Sequence, residues 1–253
     1  MNRLKILCIT LQDKISDKIL NHFPFCQIAP GVDLRSAPPL QLYNDGHITL
    51  STLDTLVQGR TSHKEISSTG AVGLYLANVN AFALHNDHLL ILEEDCMFTK
   101  DPTDEIDTLL RNVSEFDVAI FGAQTNASSL RPVAFMPAGW YHWEPGKGLR
   151  LTQTHCVFYS KNGKHIVHQC FQEPLEVHID SWIRILADIG KIRLIVQINN
   201  HTAIQDPSHK STLDHDILPE DFYKVLCCVI MLLWILTIIL YAQWSTYTYE
   251  HMG

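Results

Sequence analysis

The feature that most restricts this chain is the stretch from Val225 to Ala242, which carries no charge and shows no polar face at any helical phase. It reaches the ~18 apolar residues a helix needs to cross a bilayer. Tyr241 and Trp244 fall at its far end, where aromatic rings favour the membrane interface. The chain therefore divides into a domain over residues 1–224, a transmembrane helix over 225–244 and a short tail over 245–253.

Orientation follows from charge. Every Lys and Arg lies at or before Lys224, so the positive-inside rule places the large domain on the cytoplasmic side and predicts a tail-anchored protein. The apolar run after Met1-Asn2-Arg3 is too short for a signal peptide and is broken by Lys5. Three sequons, at Asn112, Asn126 and Asn200, keep an ER or Golgi lumenal placement open. Seven cysteines are scattered without a Cys-x-x-Cys pair, which suits reduced core residues. A formal net charge of −8 without a Lys/Arg run argues against nucleic acid as a partner. It leaves open a nucleotide held through a metal ion.

Ahead of the apolar stretch, short strand-like runs alternate with helical spacing. Leu4 to Thr10 reads as a buried strand, Lys14 to Phe23 as a helix, and the Pro-, Gly- and Asp-rich Gln27 to Ser62 as mostly loop. A helix begins behind Ser67-Ser68-Thr69 and runs to about Asn86. His88 to Leu92 is a strand that stops at Glu93-Glu94-Asp95. Beyond it come a helix at Asp104–Arg111, strands at Asp117–Gly122 and His155–Tyr159, and a helix at Gly163–Phe171. A helix over Ser181–Ile189, with Asp180 as its candidate N-cap, and a strand at Ile192–Ile198 complete the order. Such alternation implies an α/β fold with a largely parallel sheet covered on both faces, whose ligands gather at the carboxyl ends of the strands. Glu93, Glu94 and Asp95 fall at such an end.

Three adjacent carboxylates repel one another and are costly to desolvate. They admit two readings: a solvated acidic loop, or a site for Mn²⁺ or Mg²⁺ that neutralises a diphosphate. Trp140-Tyr141-His142-Trp143 likewise reads either as core packing or as a platform for a sugar ring. His201 is a candidate third metal ligand. No Gly-x-Gly-x-x-Gly, Walker or Gly-x-Ser-x-Gly motif is present, which removes dehydrogenase, kinase and hydrolase readings.

The segment Thr69-Gly70-Ala71-Val72-Gly73-Leu74-Tyr75-Leu76-Ala77-Asn78, followed by Leu90-Ile91-Leu92-Glu93-Glu94-Asp95, resembles glycosyltransferase family 25. That family includes lipopolysaccharide-biosynthesis transferases and collagen galactosyltransferases. Its members show a Gly-Glu-Ile-Gly-Cys helix start, a nearby Ser-His, and a strand ending in Leu-Glu-Asp-Asp. Ile6 to Leu11, Thr154 to Gly163 (with a Ser-x-x-Gly end), Val177 to Asp180 and Ala203-Ile204-Gln205 resemble further segments in the same order. The likeness spans roughly residues 4 to 210 and is thin between motifs.

The resemblance implies a GT-A-like nucleotide-binding sheet and an inverting transfer of a hexose from a UDP-sugar to a hydroxyl on a glycan, glycolipid or protein. Carried over by position, Glu93, Glu94 and Asp95 are donor-binding residues, with Asp95 and Glu93 holding the metal. Asp180 is the candidate general base, or alternatively a plain helix N-cap. The chain departs from the pattern at Glu94 (family Asp), Ala71 (Glu), Leu74 (Cys) and Ala77-Asn78 (Ser-His). Those departures support a second expectation, a membrane-anchored binding or scaffold protein that keeps the fold without the chemistry.

Overall fold

A computed structural model describes residues 4–60, 62, 64–125, 130–146, 151–171, 174–198 and 201–207. The expected membrane span and the sequons at Asn126 and Asn200 lie outside the described residues. Among the described residues no helix is long and apolar enough to cross a membrane.

In chain order the elements are β1 (Leu4–Thr10), α1 (Asp17–Leu20), β2 (Gln27–Pro30), α2 (Pro39–Asn44), α3 (Leu50–Gln58), α4 (Thr69–Leu84), β3 (His88–Glu93), β4 (Cys96–Phe98) and α5 (Thr103–Arg111). They continue with β5 (Val118–Ile120), β6 (Arg131–Pro132), β7 (Trp140–His142), β8 (Cys156–Tyr159), α6 (Lys161–Cys170), α7 (Ile179–Asp188), β9 (Leu194–Gln197) and β10 (Ala203–Gln205).

Eight strands form one sheet in the order β2-β1-β3-β8-β5-β9-β7-β6. The sheet is mixed rather than largely parallel. β2, β1 and β3 run together, β8 is antiparallel to both β3 and β5, and β7 opposes β9. β4 and β10 form a separate antiparallel pair, with Gln205 opposite Cys96.

Alternation along the strands builds two cores. Leu7, Ile9, Leu89, Ile91, Val157 and Tyr159 face one side, where α4, α6 and α7 cover them. Cys8, Leu90, Leu92, Cys156 and Phe158 face the other, against α1 and α5. Because both faces are buried, the strands read as continuous apolar runs, which is what made β1 and β3 recognisable.

α4 starts where its residues predict: the Ser68 hydroxyl accepts the Ala71 N–H at 3.2 Å. One of its two glycines has a steric reason. A Cβ on Gly73 would lie 2.0 Å from the carbonyl oxygen of Val32, so only glycine lets the helix seat against the chain after β2. Gly163, in the first turn of α6, is constrained in the same way by the Asp117 carbonyl, also at 2.0 Å. Both glycines belong to the segments on which the family resemblance rests.

Several expectations are corrected. The helix expected over Lys14–Phe23 is the single turn α1. The segment expected to be loop, Gln27–Ser62, holds β2, α2 and α3. Pro39 opens α2, and the Thr49 hydroxyl caps α3 by accepting the Thr52 N–H at 3.1 Å. Asp180 is not the N-cap of α7. His178 holds that position without a side-chain bond to the helix, and Asp180 sits in the first turn.

Candidate functional site

β1 and β3 pair in parallel with Ile9 opposite Glu93, so both strands end at the same edge of the sheet. The chain turns there through Glu94 and Asp95 and enters β4. A half-open cleft of about 100 Å³ lies at this edge, lined by Thr10, Gly31, Asp33, Arg35, Gly70, Ala77 and the three acidic residues. The structure thus brings Glu93, Glu94 and Asp95 together around one cavity.

The three carboxylates are held differently. The Glu94 carboxylate accepts the Thr10 hydroxyl at 2.6 Å, and the Glu93 carboxylate accepts the Thr154 hydroxyl at 3.3 Å. Asp95 is buried. The Gln205 side-chain amide donates to its Oδ2 at 2.8 Å, while Oδ1 is buried with no hydrogen-bond partner. An unpartnered buried carboxylate oxygen is costly unless something else fills its coordination.

Burial pushes the Glu93 carboxyl up to about 8, and the charges of Asp95, Asp180 and Glu94 add to the rise against the opposing Thr154 bond. Asp180 is also raised by burial, opposed by the nearby His178 imidazole, whose Nδ1 lies 3.9 Å from Asp180 Oδ1. His178 is lowered by its own burial, and its Nε2 sits 3.4 Å from the Ser67 hydroxyl. Asp180 therefore lies near enough for its charge to act on Glu93, though it does not line the cleft.

Arg35 and Asp33 supply a feature the sequence reading missed. The Arg35 guanidinium donates to both Asp33 carboxylate oxygens, at 2.8 and 2.7 Å, and holds that carboxyl down to about 2. Arg35 is half exposed on the cleft wall, its charge near Glu94. A lone Arg in a Pro- and Gly-rich stretch carries no local signal. Gln205 lay within a segment noted for its resemblance, but its bond to Asp95 depends on β10 pairing with β4.

Two candidates are not brought to the site. Trp140 and Trp143 belong to the core. Trp140 meets Phe121 edge-on at 4.9 Å, and the Trp143 indole N–H donates to Asp188 at 2.9 Å. The aromatic run is β7 and its exit, not an exposed sugar platform. The His201 Nε2 is engaged by the Ile198 carbonyl rather than by an acidic residue. Among the described residues no group of three or more His, Cys, Asp or Glu side chains could hold a metal ion by itself.

No family model and no curated protein sequence matches the chain. Solved structures similar to it include an apo UDP-glucose pyrophosphorylase (TM-score 0.43, 14% identity, covering 81% of this chain and 93% of that one). Another is a UDP-glucose pyrophosphorylase complexed with UDP-glucose (TM-score 0.44, 12% identity, 79% and 92%). A third is a putative glucose-1-phosphate thymidylyltransferase from Bacillus anthracis (TM-score 0.39, 10% identity, 80% and 89%).

Proposed function

We propose that this chain is a membrane-anchored, nucleotide-sugar-dependent glycosyltransferase of the family 25 type, built on a GT-A-like sheet. It transfers a hexose from a UDP-sugar to a hydroxyl of a glycan, glycolipid or protein. The observation that carries this reading is the buried, unpartnered Oδ1 of Asp95 at the shared end of β1 and β3, flanked by Glu93, with Arg35 lining the same cleft.

That oxygen fits a divalent cation. Two protein carboxylates, Asp95 and Glu93, are what such a site contributes when substrate phosphates and water complete the coordination of Mn²⁺ or Mg²⁺. Bound there, the cation supplies Lewis-acid neutralisation of the departing diphosphate. The half-open cleft of about 100 Å³ suits the phosphates, with sugar and nucleoside extending over its rim. Arg35 provides a planar donor pair for a phosphate oxygen. Asp180 accepts the proton of the acceptor hydroxyl as its oxygen bonds to the anomeric carbon and the bond from that carbon to the diphosphate breaks. A carboxyl raised by burial is the better base for that step. The uncharged stretch 225–242 tethers the domain to the membrane, with the cytoplasmic side favoured by the distribution of Lys and Arg.

One observation favours the second reading, a binding or scaffold protein without turnover. α4 gives the cleft only Gly70, Leu74 and Ala77, and the Asn78 amide is spent on the Leu74 carbonyl at 2.9 Å.

Calorimetry of UDP binding to the full-length chain, with Mn²⁺, with chelator, and for Asp95→Ala, tests the proposal. Binding that needs the cation and vanishes in the variant supports it. Turnover of a UDP-sugar then separates enzyme from scaffold. Absence of UDP binding by a folded sample overturns the catalytic reading.

A further inference from the structure

The opposite end of β3 opens into a second and larger cavity, of about 740 Å³. It begins at His88, roughly 17 Å along the strand from Glu93 at ~3.3 Å per residue, and is separate from the acidic cleft. β8 is antiparallel to β3, with Tyr159 opposite Leu89. The chain therefore leaves the sheet beside His88 and enters α6 at once.

Cationic groups line this cavity in a chain of net charge −8. Lys161 and Lys164 stand three residues apart on the first turn of α6, with His165 one residue further and His168 a turn beyond. Lys164 is buried, and among the described residues the hydrogen-bond partner of its ammonium is the His85 carbonyl. Among the described residues no carboxylate lies within ion-pair distance of either lysine. Asp117, close by, is already held by Arg193 at 3.1 Å and by the Asn162 amide at 3.1 Å. Asp87, next to His88, stays beyond ion-pair distance of both.

The first-turn amides of α6 are not the attraction. The Gly163 N–H is taken by the Ser160 hydroxyl at 2.9 Å, and the Lys161 N–H by His88 Nδ1 at 2.9 Å. That second bond makes Nδ1 an acceptor, so neutral His88 carries its proton on Nε2 as a donor. Val113 lines the cavity from the side of α5, and the buried Phe82 ring closes it on the side of α4. Two lysines without a contacting carboxylate, with Asp87 acting on Lys164 only at longer range, leave a space of small-molecule size electrostatically receptive to an anion.

We propose that this cavity is a second ligand site, taking a phosphate-bearing molecule whose anionic group sits between Lys161, Lys164 and the imidazoles and whose remainder fills the rest of the cavity. Two lysines match the two charges of a phosphate group better than the single charge of a carboxylate, and lysine serves phosphate as a point charge.

The test uses the full-length chain with ¹⁵N-labelled histidine in chelator, which silences any cation-dependent binding at Asp95. Inorganic pyrophosphate is titrated in, and the ring signals of His88, His165 and His168 should move together and saturate while that of His155 stays still. Lys161→Glu, at an exposed position, should weaken the response at least tenfold with an unchanged thermal unfolding curve. In a parallel arm, phosphatidylcholine vesicles with and without phosphatidylinositol bisphosphate are added. A response confined to the bisphosphate vesicles and lost in the variant assigns the phosphate to a lipid headgroup, and a pyrophosphate response assigns it to a soluble ligand. No response to either, a response that survives Lys161→Glu, or movement of His155 instead overturns the proposal. These outcomes are independent of whether UDP binds at the acidic cleft.

Discussion

The side-chain amide of Gln205 donates to Asp95 Oδ2 at 2.8 Å and so orients a carboxylate whose other oxygen is buried without a partner. β10 exists, in effect, to deliver that amide. It pairs with β4 directly after the acidic turn, and the Asp206 N–H adds a 2.8 Å bond to the Asp95 carbonyl. Both the backbone and the side chain of Asp95 are thus fixed from the last described strand.

Removing the amide should therefore loosen the proposed cation site without unfolding the chain. A hydrogen bond to a charged group contributes about 1.5–3 kcal/mol, so Gln205→Leu should weaken Mn²⁺-dependent UDP binding by roughly 10- to 100-fold. Calorimetry on the folded variant reads this directly, and an unchanged affinity would remove Gln205 from the site.

The glycines of α4 and α6 give a prediction about stability alone. Gly73→Ala and Gly163→Ala each drive a methyl to 2.0 Å from a backbone carbonyl oxygen that cannot rotate away. Overpacking of this kind costs about 1–3 kcal/mol. At about 2–4 °C per kcal/mol for a domain of this size, each variant should melt several degrees lower in a thermal scan. Wild-type melting temperatures in both would show that the helices can shift.

These positions also show how much of the fold was legible. β1, α4, β3 and α5 could be read because their signals are local: an apolar run, a Ser68 hydroxyl at a helix start, a helical apolar stripe. The reversed direction of β8 could not, because strand direction is set by the connections on either side and leaves no mark on Cys156–Tyr159. α2 and α3 were hidden by the surrounding Pro, Gly and Asp, although Pro39 and Thr49 are themselves helix-start residues. At the candidate site the acidic turn was legible as three carboxylates at a strand end, and the structure gathers them around one cleft. Arg35 and Gln205 reach it only through long-range packing, and no spacing in the sequence announces that.

Glu93 supplies a pH prediction. Its folded-state carboxyl titrates near 8 against an ordinary value of 4.5, chiefly because it is buried. Between those two pH values the folded chain holds more protons at this position than the unfolded chain does, so its contribution to stability falls as pH rises through the window. Glu93→Gln removes the titration. In chelator, the variant's melting temperature relative to wild type should therefore climb steadily from pH 5 to pH 8.5. A difference that stays flat across that range would show that Glu93 titrates normally.

Asp180 separates the two functional readings most sharply. It lies in the first turn of α7, raised by burial and close enough for its charge to reach Glu93, yet outside the cleft. In the proposed reaction Asp180 is the base for the acceptor hydroxyl and takes no part in donor binding. Asp180→Asn keeps the shape and removes the base. General-base catalysis contributes about 10²- to 10⁴-fold, so turnover of a UDP-sugar by Asp180→Asn should fall by that order while UDP affinity changes by less than about threefold. His178→Gln should shift the pH profile of turnover instead of abolishing it, since the imidazole lies 3.9 Å from Asp180 and does not line the cleft. If Asp180→Asn loses UDP binding in step with turnover, Asp180 belongs to the donor site and the proton acceptor lies elsewhere.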